Sequence, residues 1–163
     1  VEFHIQQIYA GAFKPFCEDN LMSGEGLVAS QPDSVGAMLA LLAASDMLES
    51  AGLRLGNGDY EAALIDARDS MRLASSAVLL QDGYVATTLE ATVSYLEWRY
   101  AGLLPLGPWL QMETAFPGRS AGLMSRLASL LGKNKKPDKD NTGQVLATAG
   151  SFISSVRAIL GVR

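Results

Sequence analysis

The chain has 163 residues, of which 48% are hydrophobic and 18% charged, with a formal net charge of -4. That length is about one domain and can bury a core without metals or disulfides, and the composition excludes a disordered tail. A lone cysteine, Cys17, excludes an internal disulfide and fits a reducing compartment, while the acidic balance argues against duplex-DNA binding.

The charge is uneven. Residues 1–100 carry 5 Lys/Arg against 14 Asp/Glu, a net of -9, and residues 101–163 carry 8 against 3, a net of +5. Such asymmetry steers partners or favours head-to-tail contacts. The longest apolar run, Val35 to Leu42, is too short to span a bilayer, and no signal peptide is visible after Val1. The expectation is one soluble helical domain over residues 1–163, cytoplasmic, with no membrane association and no cofactor.

Residues 1–33 read as an irregular or short-helical N-terminal segment, with Phe3, Ile8 and Phe13 as packing candidates before the turn formers of "MSGEGLVASQPD". The first strong helix is expected over Val35 to Ala51. Asp33 or Ser34 caps it, and Gly52 ends it. Only Ser45 and Asp46 are clearly polar between Val35 and Leu48, and a helix apolar nearly all round is expected at the centre of a fold. "RLGNGD" is then a loop. Asp59 caps a long second helix, in which Tyr60, Leu64, Ala67, Met71, Ala74 and Val78 recur at three and four, the spacing of a buried face. Ala63, Ala67, Ala74 and Ala77 keep that helix thin enough for close approach by a neighbour.

"QDG" breaks the second helix, and a third is expected from Tyr84 or Val85 to Tyr100, with Leu89, Val93, Leu96 and Tyr100 as its stripe. A short helix through Phe116 has Pro108 in its first turn, where the missing N–H costs nothing. Ser120 caps a fourth major helix bearing Leu123, Leu127, Leu130 and Leu131. The polar loop "GKNKKPDKDN" follows. The last helix is expected from Asn141 or Thr142 to Leu160, with Val145, Ala149, Phe152, Val156 and Ile159 as its buried stripe. No β-branched run alternates at period two. The fold class is therefore all-α, an up-and-down bundle of four to five main helices.

Conventional chemistry is hard to place on this pattern. Cys17 has only His4 and Lys14 near it in sequence, and a buried small hydrophobe or idle thiol is the plainer reading. "GRSAG" at 118–122 is a near spelling of a nucleophile elbow without its strand, and "LLGKN" at 130–134 lacks the leading glycine and the following Ser/Thr of a P-loop. No Cys/His cluster offers a zinc site. The carboxylate pairs Asp66 with Asp69 and Glu90 with Glu97 lack the histidine of a di-iron bundle, so solvated helix faces explain them better. Lys133, Lys135, Lys136 and Lys139 form a basic loop diluted by Asp138 and Asp140, with no aromatic platform for bases. Tyr95, Trp98, Tyr100 and Trp109 read first as core. The most site-like cluster is Arg68, Asp69 and Arg72 on the second helix, which reads either as a groove for a phosphate or partner carboxylate, or as a charge-balanced exposed face.

"GNGDYEAALIDARDSMRLASSAVLLQDGYVATTLEATVSYLEW" resembles HEPN-type domains, helical bundles found beside nucleotidyltransferases and in prokaryotic ribonuclease toxins. The residues that carry the likeness are the Asp59 cap, Tyr60 and Ala63, the Ala-rich helix, the Leu79–Leu80 pair and the Gly83 turn with the helix after it. The likeness spans about residues 34–100. Nuclease members carry an Arg followed four to six residues later by His, for phosphate and proton transfer respectively. Here the one histidine is His4, and none of Arg99, Arg119, Arg126 or Arg157 is followed by one. The resemblance thus implies a member without nuclease chemistry: a non-catalytic interaction or accessory domain, self-associating or bound to a protein partner such as a nucleotidyltransferase-like protein. The rival expectations are an RNA-processing or nucleotide-binding enzyme built on the Arg/Asp cluster, and a bundle that binds a small ligand in an apolar cavity.

Overall fold

The computed structural model describes residues 26–115 and 138–162, with side chains through residue 110 in the first stretch. The elements are β1 (Leu27–Ala29), α1 (Ser34–Gly56), α2 (Tyr60–Asp82), β2 (Tyr84–Ala86), α3 (Leu89–Tyr100), α4 (Leu106–Ala115) and α5 (Lys139–Ile159). The architecture is an all-α bundle of about five helices. The fourth major helix expected from Ser120, and the basic residues 133–137, lie outside the described residues.

The centre of the bundle is α2. Its small residues Ala63, Ala67, Ser70, Ala74 and Ala77 are buried and recur at alternating steps of four and three, which makes one narrow face. Asp66 flanks that face and reaches Ser50 and Arg54 of α1, so the small face is the one turned to α1. On α1 the answering positions are Ala37, Leu41, Ala44 and Ala51, all buried. Alanine against alanine brings the two helix backbones close along their full length. The larger buried residues of α2, Leu64, Met71, Val78 and Leu79, lie further round the helix. This second face serves the other helices: α5 packs against both α2 and α1, and α3 and α4 close the remaining side. Trp109 of α4 meets Phe152 of α5 with ring centroids 5.3 Å apart, and both are fully buried. The hydroxyls of Ser70 and Ser75, buried in α2, donate to the carbonyls of Ala67 and Met71, so neither is left without a partner.

Several boundaries differ from expectation. Gly52 does not end the first helix. It stays helical, and the chain turns only at Asn57 and Gly58, where Gly58 takes φ +81°. The third helix starts at Leu89 rather than at Tyr84 or Val85. Thr88, with its hydroxyl accepting from the Ala91 N–H, is the cap that the earlier start overlooked. Tyr84 to Ala86 instead form β2, paired antiparallel with β1 in the register Leu27↔Ala86, Val28↔Val85 and Ala29↔Tyr84. This three-residue ribbon was not expected, because neither strand is long enough to show a period. Flanking bonds from the Ser30 N–H to the Gly83 carbonyl and from the Asp33 N–H to the Leu80 carbonyl tie the approach to α1 onto the end of α2. Gly83 makes that junction possible. Its left-handed backbone (φ +81°) closes α2, and a Cβ there would stand 3.0 Å from the Ser30 carbonyl oxygen. The last helix begins at Lys139, two or three residues before the expected start at Asn141 or Thr142, because Asp138 accepts from the Asn141 N–H at 2.8 Å.

Candidate interaction surface

The largest correction concerns α1. Expected at the centre, it lies on the outside of the bundle formed by the described residues. Val35 is 72% exposed, Leu39 62%, Leu42 58% and Met38 47%. The reason is geometric. The Ala/Leu stripe that faces α2 occupies one side of the helix, and the two flanks are used for polar ties. On one flank the Ser50 hydroxyl donates to Asp66 at 3.0 Å, and Arg54 pairs with the same oxygen at 2.7 Å and with Asp59 at 3.8 Å. On the other, Arg157 of α5 donates to the Ser45 hydroxyl at 2.9 Å, and that hydroxyl donates to the Leu41 carbonyl.

What remains is a stripe diametrically opposite the packed one. Val35, Leu39, Leu42, Asp46, Glu49 and Leu53 succeed one another at alternating steps of four and three, the period of a helix-pairing seam. All six are exposed. At 1.5 Å per residue the seam is roughly 27 Å long. Its N-terminal half, with Met38 at the edge, is an aliphatic patch on the order of 400 Å², the size of the largest patch on a typical single-chain protein, which is often functional. Its middle carries two carboxylates, Asp46 and Glu49, which form no ion pair among the described residues. By length and composition alone α1 is long and apolar enough to cross a membrane, contrary to the expectation from Val35 to Leu42. Its seam carboxylates and its ion pair to α2 are features of a helix packed on one side against protein.

The Arg68, Asp69 and Arg72 cluster is brought together, and its members hold one another. The Arg68 Nε donates to Asp69 Oδ1 at 3.2 Å, and the Arg72 Nη1 lies 3.8 Å from the same oxygen. Arg68 is only 9% exposed and turns inward, whereas Asp69 is half-buried and Arg72 exposed. Neither arginine is without further partners. Asp66, expected on a solvated face beside Asp69, instead serves the tie to α1. Glu90 and Glu97 are exposed on α3. Among the described residues no group of three or more His, Cys, Asp or Glu side chains converges. His4, Cys17, the 118–122 and 130–134 segments and the basic residues 133–136 lie outside the described residues. Lys139 alone of the basic loop is described, and it borders an open groove of about 450 Å³ at the α1–α2 turn, beside Gly52, Leu55, Asn57 and Tyr60.

The aromatic cluster at the end of α3 is a joint, and sequence reading missed its anchor. The phenols of Tyr95 and Tyr100 both donate to Asp82 Oδ2, at 2.9 and 2.7 Å. Tyr95 also packs against Tyr84 and Trp98. A carboxylate at the C-terminal end of a helix opposes the helix dipole, and the two donors offset that cost. Burial, and then the neighbouring carboxylate, hold both phenol pKa values well above the usual tyrosine value. Asp82 stood in the sequence as part of a helix-breaking "QDG", and nothing local linked it to tyrosines 13 and 18 residues away.

No family model, curated protein or solved structure matches the chain.

Proposed function

We propose that the chain is a helical interaction domain, of HEPN type without the nuclease residues, and that the outer seam of α1 is its docking surface. One observation carries this reading: Val35, Leu39 and Leu42 stand exposed in a row on a helix that is firmly packed through its opposite face. A soluble domain gains nothing by displaying large aliphatic residues in register, and contiguous patches of this kind belong to surfaces that another molecule covers. The partner inherited from the family likeness is a nucleotidyltransferase-like protein. The Arg68–Asp69–Arg72 cluster supports this reading over an anion-binding one, since a carboxylate already stands between the two guanidinium groups.

The test is the paired variant Leu39→Lys/Leu42→Lys in the full chain. Its urea midpoint should match that of the parent within roughly 0.5 kcal/mol per site, as for surface substitutions, and any association seen by sedimentation should disappear. A loss of several kcal/mol would put these side chains inside the fold and remove the reading.

A further inference from the structure

We infer that the partner of the α1 seam is a basic amphipathic helix of another protein: aliphatic where it meets Val35, Leu39 and Leu42, and carrying Lys or Arg where it meets Asp46 and Glu49. This rests on the interaction-domain reading and names the chemistry that would satisfy it.

The shape of the surface selects a helix. The seam is a convex ridge with a four-three period, and a second helix matches such a ridge by seating its side chains between the ridge residues. The charges select the sign. Asp46 and Glu49 sit on the seam itself, in line with Leu42 and Leu53, so any molecule covering the apolar half along the ridge also covers them. A carboxylate covered without a cation loses its hydration with nothing in exchange, whereas a well-placed Lys or Arg offsets that loss. The flanking cation, Arg54, is already held by Asp66 at 2.7 Å.

The same charges disfavour a second copy of α1. An antiparallel pairing that uses the whole seam would set Val35 against Leu53, but Leu39 against Glu49 and Leu42 against Asp46, with the two copies of Asp46 near the twofold axis. Sliding the copies to match only the aliphatic halves brings Asp46 beside Val35 and the capping Asp33 of the other chain. Either register sets carboxylates against leucine or against another acid. A membrane surface fares no better, because acidic residues lie along the seam where lipid binding calls for cations.

The probe is a three-heptad synthetic helix with Leu at its seam positions except for Lys at the two that face Asp46 and Glu49, beside a control peptide with Glu at those two. Binding to the full-length chain is followed by fluorescence anisotropy. The Lys peptide should bind roughly tenfold or more tightly than the Glu peptide, and the preference should invert against the chain carrying Asp46→Lys and Glu49→Lys. Equal binding, no binding of either peptide, or a preference that survives the charge reversal overturns the inference.

Three companion readings separate that failure from failure of the interaction-domain reading. Leu39→Cys in a Cys17→Ser background should react with a soluble maleimide as fast as an exposed thiol. Protection in the monomer would mean that the chain covers its own seam, which overturns both. A salt-independent dimer abolished by Leu39→Lys would hand the seam to a second copy, and flotation with phosphatidylcholine vesicles abolished by the same change would hand it to lipid. Each of those overturns the basic-helix partner and leaves a docking surface in place.

Discussion

Helices α1 and α2 have the same length, 23 residues, and pack against each other as a hairpin, yet they are used in opposite ways. The more apolar of the two, α1, leaves Val35, Met38, Leu39, Leu42 and Leu53 exposed. The more polar, α2, carries Asp66, Arg68, Asp69, Arg72 and Asp82 and nevertheless supplies the largest share of the core. The difference follows from neighbours. Two faces of α2 are covered, a small-residue face by α1 and a larger-residue face by α5, α3 and α4, so even its part-buried charges find partners. Among the described residues, apart from the tie to Arg157 and its contacts with α5, α1 is covered on one side. On the proposed interaction role, the apolar surface of α1 that the described residues leave open is where a contact is made.

The sharpest contrast is with the shared core beyond the hairpin. Phe152 of α5 is fully buried against Trp109, and Phe152→Ala should cost about 3–5 kcal/mol in urea unfolding, the range for removing a buried ring. A cost below about 1 kcal/mol would mean that α5 and α4 are only loosely docked and that α2 is not the centre of the bundle. Next in size is Leu41→Ala, on the inner face of α1. Leu41 is 2% exposed, and the expected loss is about 2–5 kcal/mol.

A third variant sharpens the role of α2 as organiser. Asp82→Ala removes the acceptor shared by Tyr95 and Tyr100 and leaves two phenols short of a partner, for an expected loss of about 1–3 kcal/mol by thermal or chemical unfolding. The same joint sets an alkaline limit. Both phenols have their folded-state pKa raised, first by burial and then by Asp82. Their contribution is therefore complete below the ordinary tyrosine value of about 10 and is lost as pH rises from there toward the folded-state values. Stability should fall above about pH 10, and in Asp82→Ala the two tyrosines should ionise at lower pH in an ultraviolet titration. If the alkaline profile of the variant overlays that of the parent, Asp82 is not what holds the phenols neutral.

Much of the bundle was legible in advance. The three-and-four spacing of Leu64, Ala67, Met71, Ala74 and Val78 marked the buried side of α2, and the stripe of Ala149, Phe152 and Val156 marked that of α5, because both faces are set by residues within one helix. The Asp59 cap was legible for the same reason. The position of α1 was not. A run with only Ser45 and Asp46 as polar breaks reads as buried all round, since composition records how much apolar surface exists and says nothing of how many neighbours are present to cover it. The signal was there at finer grain: Ala37, Ala44 and Ala51 lie on one side at intervals of seven, and Asp46 and Glu49 lie opposite. Of the candidate cluster, the mutual proximity of Arg68, Asp69 and Arg72 followed from helical spacing. The inward turn of Arg68 depends on its neighbours in space, and no single-helix pattern contains it.

The smallest expected effect decides most about α1. Leu42 follows Leu41 directly, in the same helix and with the same side chain, but it is 58% exposed. Leu42→Ala leaves helix propensity slightly improved and acts on a side chain that is more than half exposed among the described residues, so its cost in the isolated chain should stay within about 0.5 kcal/mol. Because the two substitutions are chemically identical and adjacent, denatured-state effects largely cancel, and the gap between their urea midpoints reports burial alone. A gap of about 2 kcal/mol or more keeps Leu42 on an open seam. Equal, large losses would mean that both faces of α1 are covered in the folded chain, and the contrast between α1 and α2 would then collapse into two helices that are equally central.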